Sequence, residues 1–179
     1  MGSGMRTVAS RRAVLGGLAA LAALGNGPAA AGIVRRLTLV RPATGEIARD
    51  VPFWQDGAPD QRGMAELSWL MRDIEAERVL PIDLRVFYLL AVTQAEFGDR
   101  PILVTSGYRT ESTNERLRRQ GIDADRNSFH LHGRAVDIRI PGVPAVRMAA
   151  LGLQLGLGGV GIYPTFVHLD TGPPRLWRG

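Results

Sequence analysis

Apolar residues recur at helical spacing in the first half of the chain, and this periodicity constrains the fold more than any other feature of the sequence. After Asp60, an N-cap candidate, the apolar positions predict a helix that runs to about Val79: Met64, Leu67, Leu70, Met71 and Ile74. A second stripe predicts a helix that begins near Pro81 and ends before Gly98: Leu84, Phe87, Tyr88, Ala91 and Ala95. Helices with one apolar face must pack that face against another layer of structure.

Short apolar runs bounded by turn residues predict the strands of that other layer. They occupy residues 37–40 and 46–53, which flank a turn with Gly45, and residues 102–105, 133–140 and 166–170. Further helices are predicted at 111–119 and 144–155, followed by a glycine-rich bend at 156–161. Because helices and strands occur in runs rather than in strict alternation, the sequence predicts an α+β fold in which a small sheet packs with helices.

The length and composition favour one globular domain. The chain has 179 residues, of which 45% are hydrophobic and 22% charged, and no internal repeat or long linker divides it. A domain of roughly 150 residues buries about 68–70% of the surface that its unfolded chain exposes, so its core forms without a metal or a disulfide. Any bound metal is therefore free to act in catalysis. The absence of cysteine excludes disulfides, thiolate metal ligands and cysteine nucleophiles.

The N-terminal segment has the composition of an export signal. Arg11 and Arg12 precede an apolar run that ends near Leu24, and small residues follow at 29–31. The run is shorter than the roughly 20 residues that a bilayer-spanning helix needs. We therefore predict a twin-arginine signal peptide over residues 1–31 and a mature periplasmic domain over 32–179 without a stable membrane anchor. An ordinary Sec signal that carries two arginines is the alternative.

The positive charge gives little support to nucleic-acid binding. The formal net charge is +5, but three of the 22 basic residues lie in the N-terminal segment: Arg6, Arg11 and Arg12. The remaining arginines outnumber the acidic residues by only two, and they are scattered along the chain. We therefore expect no nucleic-acid partner.

The three histidines of the chain lie in two short segments next to predicted strands. Side chains alternate along a strand, which places Asp137 on the polar face of one strand and His168 on the polar face of another. Gly133 allows a turn through which His130 reaches Asp137. The sequence thus predicts that two imidazoles and one carboxylate meet.

Such a set binds a metal through three ligands and leaves one coordination position open, as at catalytic zinc sites. His130, Asp137 and His168 are therefore candidate zinc ligands, and zinc lowers the pKa of a bound water to about 7. The residues alone leave a second interpretation open, in which the histidines lie on the surface and Asp137 forms a cap or a salt bridge.

Three motifs in the second half of the chain are specific in combination. They are Ser106-Gly107-Tyr108-Arg109-Thr110, Ser128-x-His130-x-x-Gly133-x-Ala135-x-Asp137, and Phe166-Val167-His168-Leu169-Asp170, with Tyr163-Pro164 before the last motif and Gly172 after it. Together they resemble the zinc peptidases of the D-alanyl-D-alanine carboxypeptidase group, and most of all its murein endopeptidase K-like members. The resemblance covers nearly the whole mature chain and implies a Hedgehog/D-Ala-D-Ala-peptidase-like fold with an antiparallel sheet.

The resemblance also implies roles for single residues. His130, Asp137 and His168 would bind zinc, and peptidoglycan stem peptides would be the substrate. Arg109 would stabilise the oxyanion at the attacked carbonyl, a role that suits a permanently charged guanidinium. The alternative for Arg109 is a structural role in fastening the following helix.

The sequence departs from the group at Thr165. Several members of the group place a general-base carboxylate three residues before the last histidine ligand, and threonine cannot act as that base. Asp170 is the first candidate for the base, and His132 is the second. The alternatives are that Asp170 orients a metal ligand and that His132 is merely solvated.

We therefore predict a monomeric, zinc-dependent murein endopeptidase that hydrolyses amide bonds in peptidoglycan cross-links through metal-activated water. A D,D- or L,D-carboxypeptidase that trims stem peptides would use the same ligands. Two further alternatives are a non-catalytic peptidoglycan-binding module, motivated by Thr165, and a metal-free structural protein of the envelope.

Overall fold

The computed structural model describes residues 33–122 and 124–179. The predicted signal peptide at residues 1–31 lies outside these ranges, so the export signal stays a prediction. Within the described residues, the chain forms one α+β domain, which confirms the predicted fold class.

Eight strands form one sheet in the described part of the chain. They are β1 (Arg35–Arg41), β2 (Glu46–Gln55), β3 (Ala58–Pro59), β4 (Ile102–Ser106), β5 (Ala135–Arg139), β6 (Gly159–Ile162), β7 (Val167–Asp170) and β8 (Arg175–Arg178). Their order is β3-β2-β1-β4-β5-β7-β6-β8. The pairs β1–β4 and β6–β8 are parallel and the other neighbours are antiparallel. The sheet is therefore larger than the small antiparallel sheet that we expected.

Four α-helices and one short 3-10 helix accompany this sheet among the described residues. They are α1 (Gln61–Leu70), α2 (Leu84–Glu96), α3 (Glu111–Arg119), α4 (Ala145–Leu155) and the 3-10 helix Phe129–His132. Asp60, Asp83 and Thr110 cap the first three helices, because each side chain accepts a hydrogen bond from a backbone N–H of the first turn. None of the described helices has the length and apolar character needed to cross a membrane.

A continuous apolar core joins the sheet to helices α1, α2 and α4. Every second residue of β5 and β7 belongs to it, including Val136, Ile138 and Val167, which are completely buried. Because side chains alternate along a strand, Asp137 and His168 lie on the opposite face of the sheet. The predicted alternation in both strands is confirmed.

Helix α1 ends at Leu70, so the predicted extension to Val79 is wrong. A tight turn follows instead, in which Asp73 and Arg78 exchange backbone hydrogen bonds of 2.9 and 3.1 Å. The Asp73 carboxylate also accepts hydrogen bonds of 3.1 Å from two backbone N–H groups inside the turn. Aspartate side chains that bond to the nearby backbone in this way compete with helix continuation.

The predicted bend at 156–161 is wrong in its second half, where the chain forms β6. Glycine at position 161 allows the Trp177 side chain of β8 to pack closely against β6, since a Cβ atom at Gly161 would lie 2.6 Å from the ring of Trp177. Strand glycines often mark such close approaches. Strand β8 itself has no predicted counterpart, because four residues after two prolines carry too short a pattern to identify a strand.

Candidate metal centre

Asp137 of β5 and His168 of β7 are direct partners in the sheet. The two strands are antiparallel, and their Cα register pairs these two residues. The distance from Asp137 Oδ1 to His168 Nδ1 is 2.8 Å. Strand pairing therefore brings together two of the three predicted ligands.

His130 reaches this pair from the 3-10 helix that precedes β5. The Ser128 hydroxyl accepts a hydrogen bond of 3.4 Å from the His130 backbone N–H, and Gly133 ends the helix with a left-handed φ of 62°. A Cβ atom at Gly133 would also lie 2.8 Å from a backbone carbonyl oxygen, so the position suits glycine alone. His130 Nε2 consequently lies 3.2 Å from Asp137 Oδ1 and 3.1 Å from His168 Nδ1.

The outer nitrogen of each imidazole has an acceptor as its partner. His130 Nδ1 donates to the carbonyl oxygen of Gly107 at 2.6 Å, and His168 Nε2 donates to Asp170 Oδ2 at 3.1 Å. A carbonyl or carboxylate oxygen can only accept, so the proton of each neutral ring lies on its outer nitrogen. The inner nitrogens therefore present lone pairs towards Asp137, as metal-ligating histidines do.

When both rings are neutral, three acceptor atoms therefore converge here, which is the arrangement of a cation site. The three ligand atoms all lie within 4.8 Å of one another. Ligands held tetrahedrally at zinc distances of about 2.0–2.1 Å are about 3.3 Å apart. The separations of 2.8, 3.1 and 3.2 Å found here are close to that value. The residues therefore fit a metal ion that retains an open position.

The charges of this buried cluster are coupled. Burial disfavours ionised Asp137, but the attraction of His130 and hydrogen bonds with both histidines prevail and hold the pKa of its carboxyl far below the usual value. Burial lowers the pKa of His130 below its ordinary 6.5. Burial acts in the same direction on His168, yet hydrogen bonds to Asp137 and Asp170 outweigh it and raise the pKa. Asp137 is thus ionised. Metal binding displaces the proton that His168 donates to Asp137, because histidine ligates as the neutral ring.

A cavity of about 620 Å³ opens beside His168. Its size is typical of ligand sites, which span about 300–1,000 Å³. The wall combines aromatic rings with arginines and a hydroxyl, and it includes Arg109, Ser128, Phe129, Tyr163, Arg175 and Trp177. Polar groups that converge on such a cavity orient a bound ligand.

Arg109 brings a poorly solvated cation into this cavity. Burial lowers the pKa of Arg109, in opposition to the negative charge of Asp137, and its buried Nε has no hydrogen-bond partner among the described residues. The backbone N–H of Arg109 donates to the carbonyl oxygen of His130 at 3.2 Å, which ties the arginine to the ligand-bearing helix. The guanidinium is therefore available to negative charge that develops in the cavity.

Asp73 fixes the segment that carries Arg109. Its Oδ2 accepts hydrogen bonds from the backbone N–H of Thr110 at 2.8 Å and from the Thr110 hydroxyl at 2.9 Å. The backbone N–H of Tyr108 donates to the carbonyl oxygen of Met71 at 2.8 Å. The segment is thus attached on both sides of Arg109 to the turn that follows α1.

The structure places the two candidate bases differently. The carboxylate of Asp170 is buried and accepts hydrogen bonds from two backbone N–H groups at 2.7 and 3.0 Å, from Arg175 and from His168. Against the effect of burial, these bonds hold the pKa of Asp170 well below its usual value. This geometry favours the alternative that Asp170 orients His168. His132 is exposed and belongs neither to the ligand cluster nor to the cavity wall, so the structure does not bring it to the site.

Three residues that build the site carry no functional signal in the sequence. Asp73 lies inside a segment that we predicted to be helical, and Arg175 and Trp177 lie on the unpredicted strand β8. The Trp177 ring lies 5.1 Å from the ring of His168, and its Nε1 donates to the Tyr163 hydroxyl at 3.1 Å. The only signal in the sequence for strand β8 is the alternation of polar and apolar residues at 175–178, and four residues are too few to predict a strand from it.

An α+β domain whose sheet and adjoining 3-10 helix present two imidazoles and one carboxylate beside a cavity defines a candidate metallohydrolase. The model of a peptidase M15 family, described as Peptidoglycan L,D-endopeptidase MepK, matches residues 29–177. The chain therefore belongs to this family, whose peptidases are metal-dependent. The predicted resemblance to murein endopeptidase K-like proteins is confirmed.

Two relatives illustrate the extent of the similarity. Peptidoglycan L,D-endopeptidase MepK of Escherichia coli (strain K12) is 36% identical over 178 residues, which cover 94% of the chain and 97% of that protein. "Probable peptidoglycan L,D-endopeptidase MepK" of Haemophilus influenzae is 42% identical over 120 residues, which cover 65% of the chain and 64% of that protein. The chain thus spans nearly all of the first relative and somewhat less than two thirds of the second.

Proposed function

We propose that the protein is a zinc-dependent endopeptidase that hydrolyses amide bonds in the peptide cross-links of peptidoglycan. The observation that carries this proposal is the convergence of His130 Nε2, Asp137 Oδ1 and His168 Nδ1 beside a cavity that contains Arg109. A donor set of nitrogen and oxygen atoms with one open position suits catalytic zinc. The names of the two relatives support the substrate class.

Each residue of the site has a distinct part in the reaction. When bound, zinc supplies a Lewis acid that polarises the scissile carbonyl and acidifies water. Gly107 and Asp170 hold the two imidazoles with their lone pairs towards the metal position. Arg109 binds the carbonyl oxygen of the substrate and stabilises the negative charge that grows there, since its guanidinium stays protonated at neutral pH.

We assign Asp170 to the orientation of His168 rather than to proton transfer. A carboxylate that already accepts hydrogen bonds on both oxygens is a poor acceptor for a further proton, and its lowered pKa weakens it as a base. Thr165, which occupies the position of the base in related peptidases, is exposed and carries no carboxylate.

The test is to incubate the purified protein with intact sacculi and to identify the released muropeptides by mass. We expect release of peptides cut within cross-links, and loss of this release on chelation and in Asp137→Asn. The matched control is Asp50→Asn, which alters an exposed carboxylate far along the sheet and should retain activity.

The other outcomes distinguish the alternatives. Shortened stem peptides with intact cross-links would identify a carboxypeptidase. Stoichiometric zinc without any product would identify a wall-binding module, and absence of bound zinc would favour a structural protein. Each of these results would overturn the endopeptidase proposal.

Two narrower statements remain proposals on the strength of the sequence. The pair Arg11-Arg12 before an apolar run supports export to the periplasm by the twin-arginine pathway. The three motifs support assignment of the sheet and helices to the Hedgehog/D-Ala-D-Ala-peptidase-like fold. We also propose that the protein is a monomer.

A further inference from the structure

We propose that Arg175, on the C-terminal strand β8, is a positioning residue of the metal site: it fixes Asp170, which in turn fixes the orientation of His168. This inference rests on the proposed metal site but not on the proposed substrate. None of the motifs that define the site includes Arg175.

The contact between Arg175 and Asp170 is a bidentate ion pair. Arg175 Nη2 lies 2.8 Å from Asp170 Oδ2, and Nη1 lies 3.1 Å from Oδ1. Parallel bonds from a planar guanidinium fix the plane of a carboxylate as well as its position. The Asp170 side chain is completely buried, whereas 41% of the Arg175 side chain is exposed. The buried carboxylate thus depends on a cation that reaches it from the rim of the cavity.

The same carboxylate oxygen receives the hydrogen bond from His168. Asp170 Oδ2 accepts from His168 Nε2 at 3.1 Å, so the plane of the carboxylate sets the rotation of the imidazole. That rotation brings His168 Nδ1 within 2.8 Å of Asp137 Oδ1. Partners that orient a metal ligand in this way also raise its basicity.

The surroundings of Arg175 hold it in this position. Its guanidinium lies 5.1 Å from the ring centre of Phe129 and 4.9 Å from that of Trp177. A Cβ atom at Gly159 would lie 2.5 Å from Asp170 Oδ2, so the packing leaves the carboxylate little room for another orientation. Since Phe129 begins the 3-10 helix that carries His130, Arg175 contacts the elements of two metal ligands.

Removal of the guanidinium would leave Asp170 buried beside His168 without its cation. Two backbone N–H groups still bond to Oδ1, but Oδ2, the oxygen that orients His168, then loses its cationic partner. Loss of one partner of a buried ion pair is strongly unfavourable. The less firmly held carboxylate fixes the imidazole less well, and the effect appears as a loss of metal affinity.

The experiment measures zinc affinity by competition with a chromophoric chelator, in the absence of substrate. Zinc should bind about 10-fold more weakly to Arg175→Gln, which is the lower end of the range of about 10–100-fold for partners of metal ligands. Arg175→Lys should recover part of this loss, because it restores the charge. Arg178→Gln is the matched control, since Arg178 lies on the same strand, is exposed and should bind zinc like the wild type.

A double substitution tests whether Arg175 acts through Asp170. If it does, zinc should bind to Arg175→Gln/Asp170→Asn no more weakly than to Asp170→Asn alone, because the pair forms one unit. Additive losses would overturn the inference. So would wild-type affinity in Arg175→Gln, with or without a lower melting temperature of the metal-free protein, since that result would indicate only packing or a substrate contact. Failure of the wild-type protein to bind zinc would refute the proposed metal site itself.

Discussion

Replacement of Asp73 by asparagine should loosen the Arg109 segment while leaving the metal ligands unchanged. Asp73 is 3% exposed, and its carboxylate accepts hydrogen bonds from the Thr110 N–H, from the Thr110 hydroxyl and from two backbone amides of its own turn. Asparagine keeps one acceptor oxygen and places an NH₂ group where the second oxygen was. In either orientation, a buried donor then faces another donor.

The size of the effect follows from the contacts that are lost. A hydrogen bond to a charged group contributes about 1.5–3 kcal/mol, and a buried group left without a partner costs about 1–3 kcal/mol. The Thr110 hydroxyl can rotate to another partner, so we count the loss of one hydrogen bond to the carboxylate and one buried N–H left without a partner. Together they should lower the free energy of unfolding by about 3 kcal/mol. In a domain of this size, 1 kcal/mol shifts the melting temperature by about 2–4 °C, so the expected decrease is about 6–12 °C.

Three measurements on Asp73→Asn check this reasoning: thermal unfolding of the chelated protein, zinc affinity and the rate of muropeptide release. We expect the lower melting temperature, near-normal zinc affinity and a rate about 10- to 100-fold lower, since a displacement of about 1 Å can cost about 100-fold. Glu75→Gln is the control within the same turn, because it loses only an exposed ion pair with Arg116. A melting temperature of Asp73→Asn equal to that of Glu75→Gln would refute the argument.

Further predictions concern the ligands, the acid range and export. Replacement of His130, Asp137 or His168 by alanine should abolish zinc retention and hydrolysis but not folding. Metal analysis and circular dichroism check this expectation, and an active variant would contradict the ligand assignment. Because the folded pKa of Asp170 is lowered, its contribution to the stability of the metal-free protein is present above the ordinary value of 3.8 and is lost as the pH falls below it. Asp170→Asn should therefore flatten the acid limb of the free energy of unfolding in denaturant titrations, whereas an unchanged slope would count against the ion pair. Lysine at both Arg11 and Arg12 should retain the precursor in the cytoplasm in a fractionation assay, and normal export would indicate a Sec signal.

Local sequence patterns predicted the elements in which periodicity and capping agree. The helix expected between Pro81 and Gly98 is α2, which Asp83 caps. The alternation expected around Asp137 and His168 is that of β5 and β7, because every second residue of these strands adds an apolar side chain to the core and so leaves the same period in the sequence. The three ligands could be predicted for the same reason, since strand faces and one glycine turn bring them together.

Long-range contacts left no such pattern. The glycines around Gly161 are as typical of a bend as of a strand that lies close to another group. The difference lies in the packing of the Trp177 indole against Gly161, which the local sequence does not show. Asp73 breaks a helix because of partners inside its own turn and at Thr110, far along the chain. The orientation of His168 likewise depends on Arg175, whose partner Asp170 cannot be inferred from spacing alone.

The direct pairing of Asp137 with His168 links the metal site to strand registration. A slip of one residue between β5 and β7 would turn His168 into the apolar core and place Val167 or Leu169 beside Asp137. Only correctly paired chains can then capture the ion, and binding at 1,000 times Kd adds about 4 kcal/mol to the native state alone. Metal binding would thus favour the correct pairing of β5 with β7 during folding, and, with zinc as the proposed ion, the zinc content of a preparation would report its fraction of correctly registered molecules.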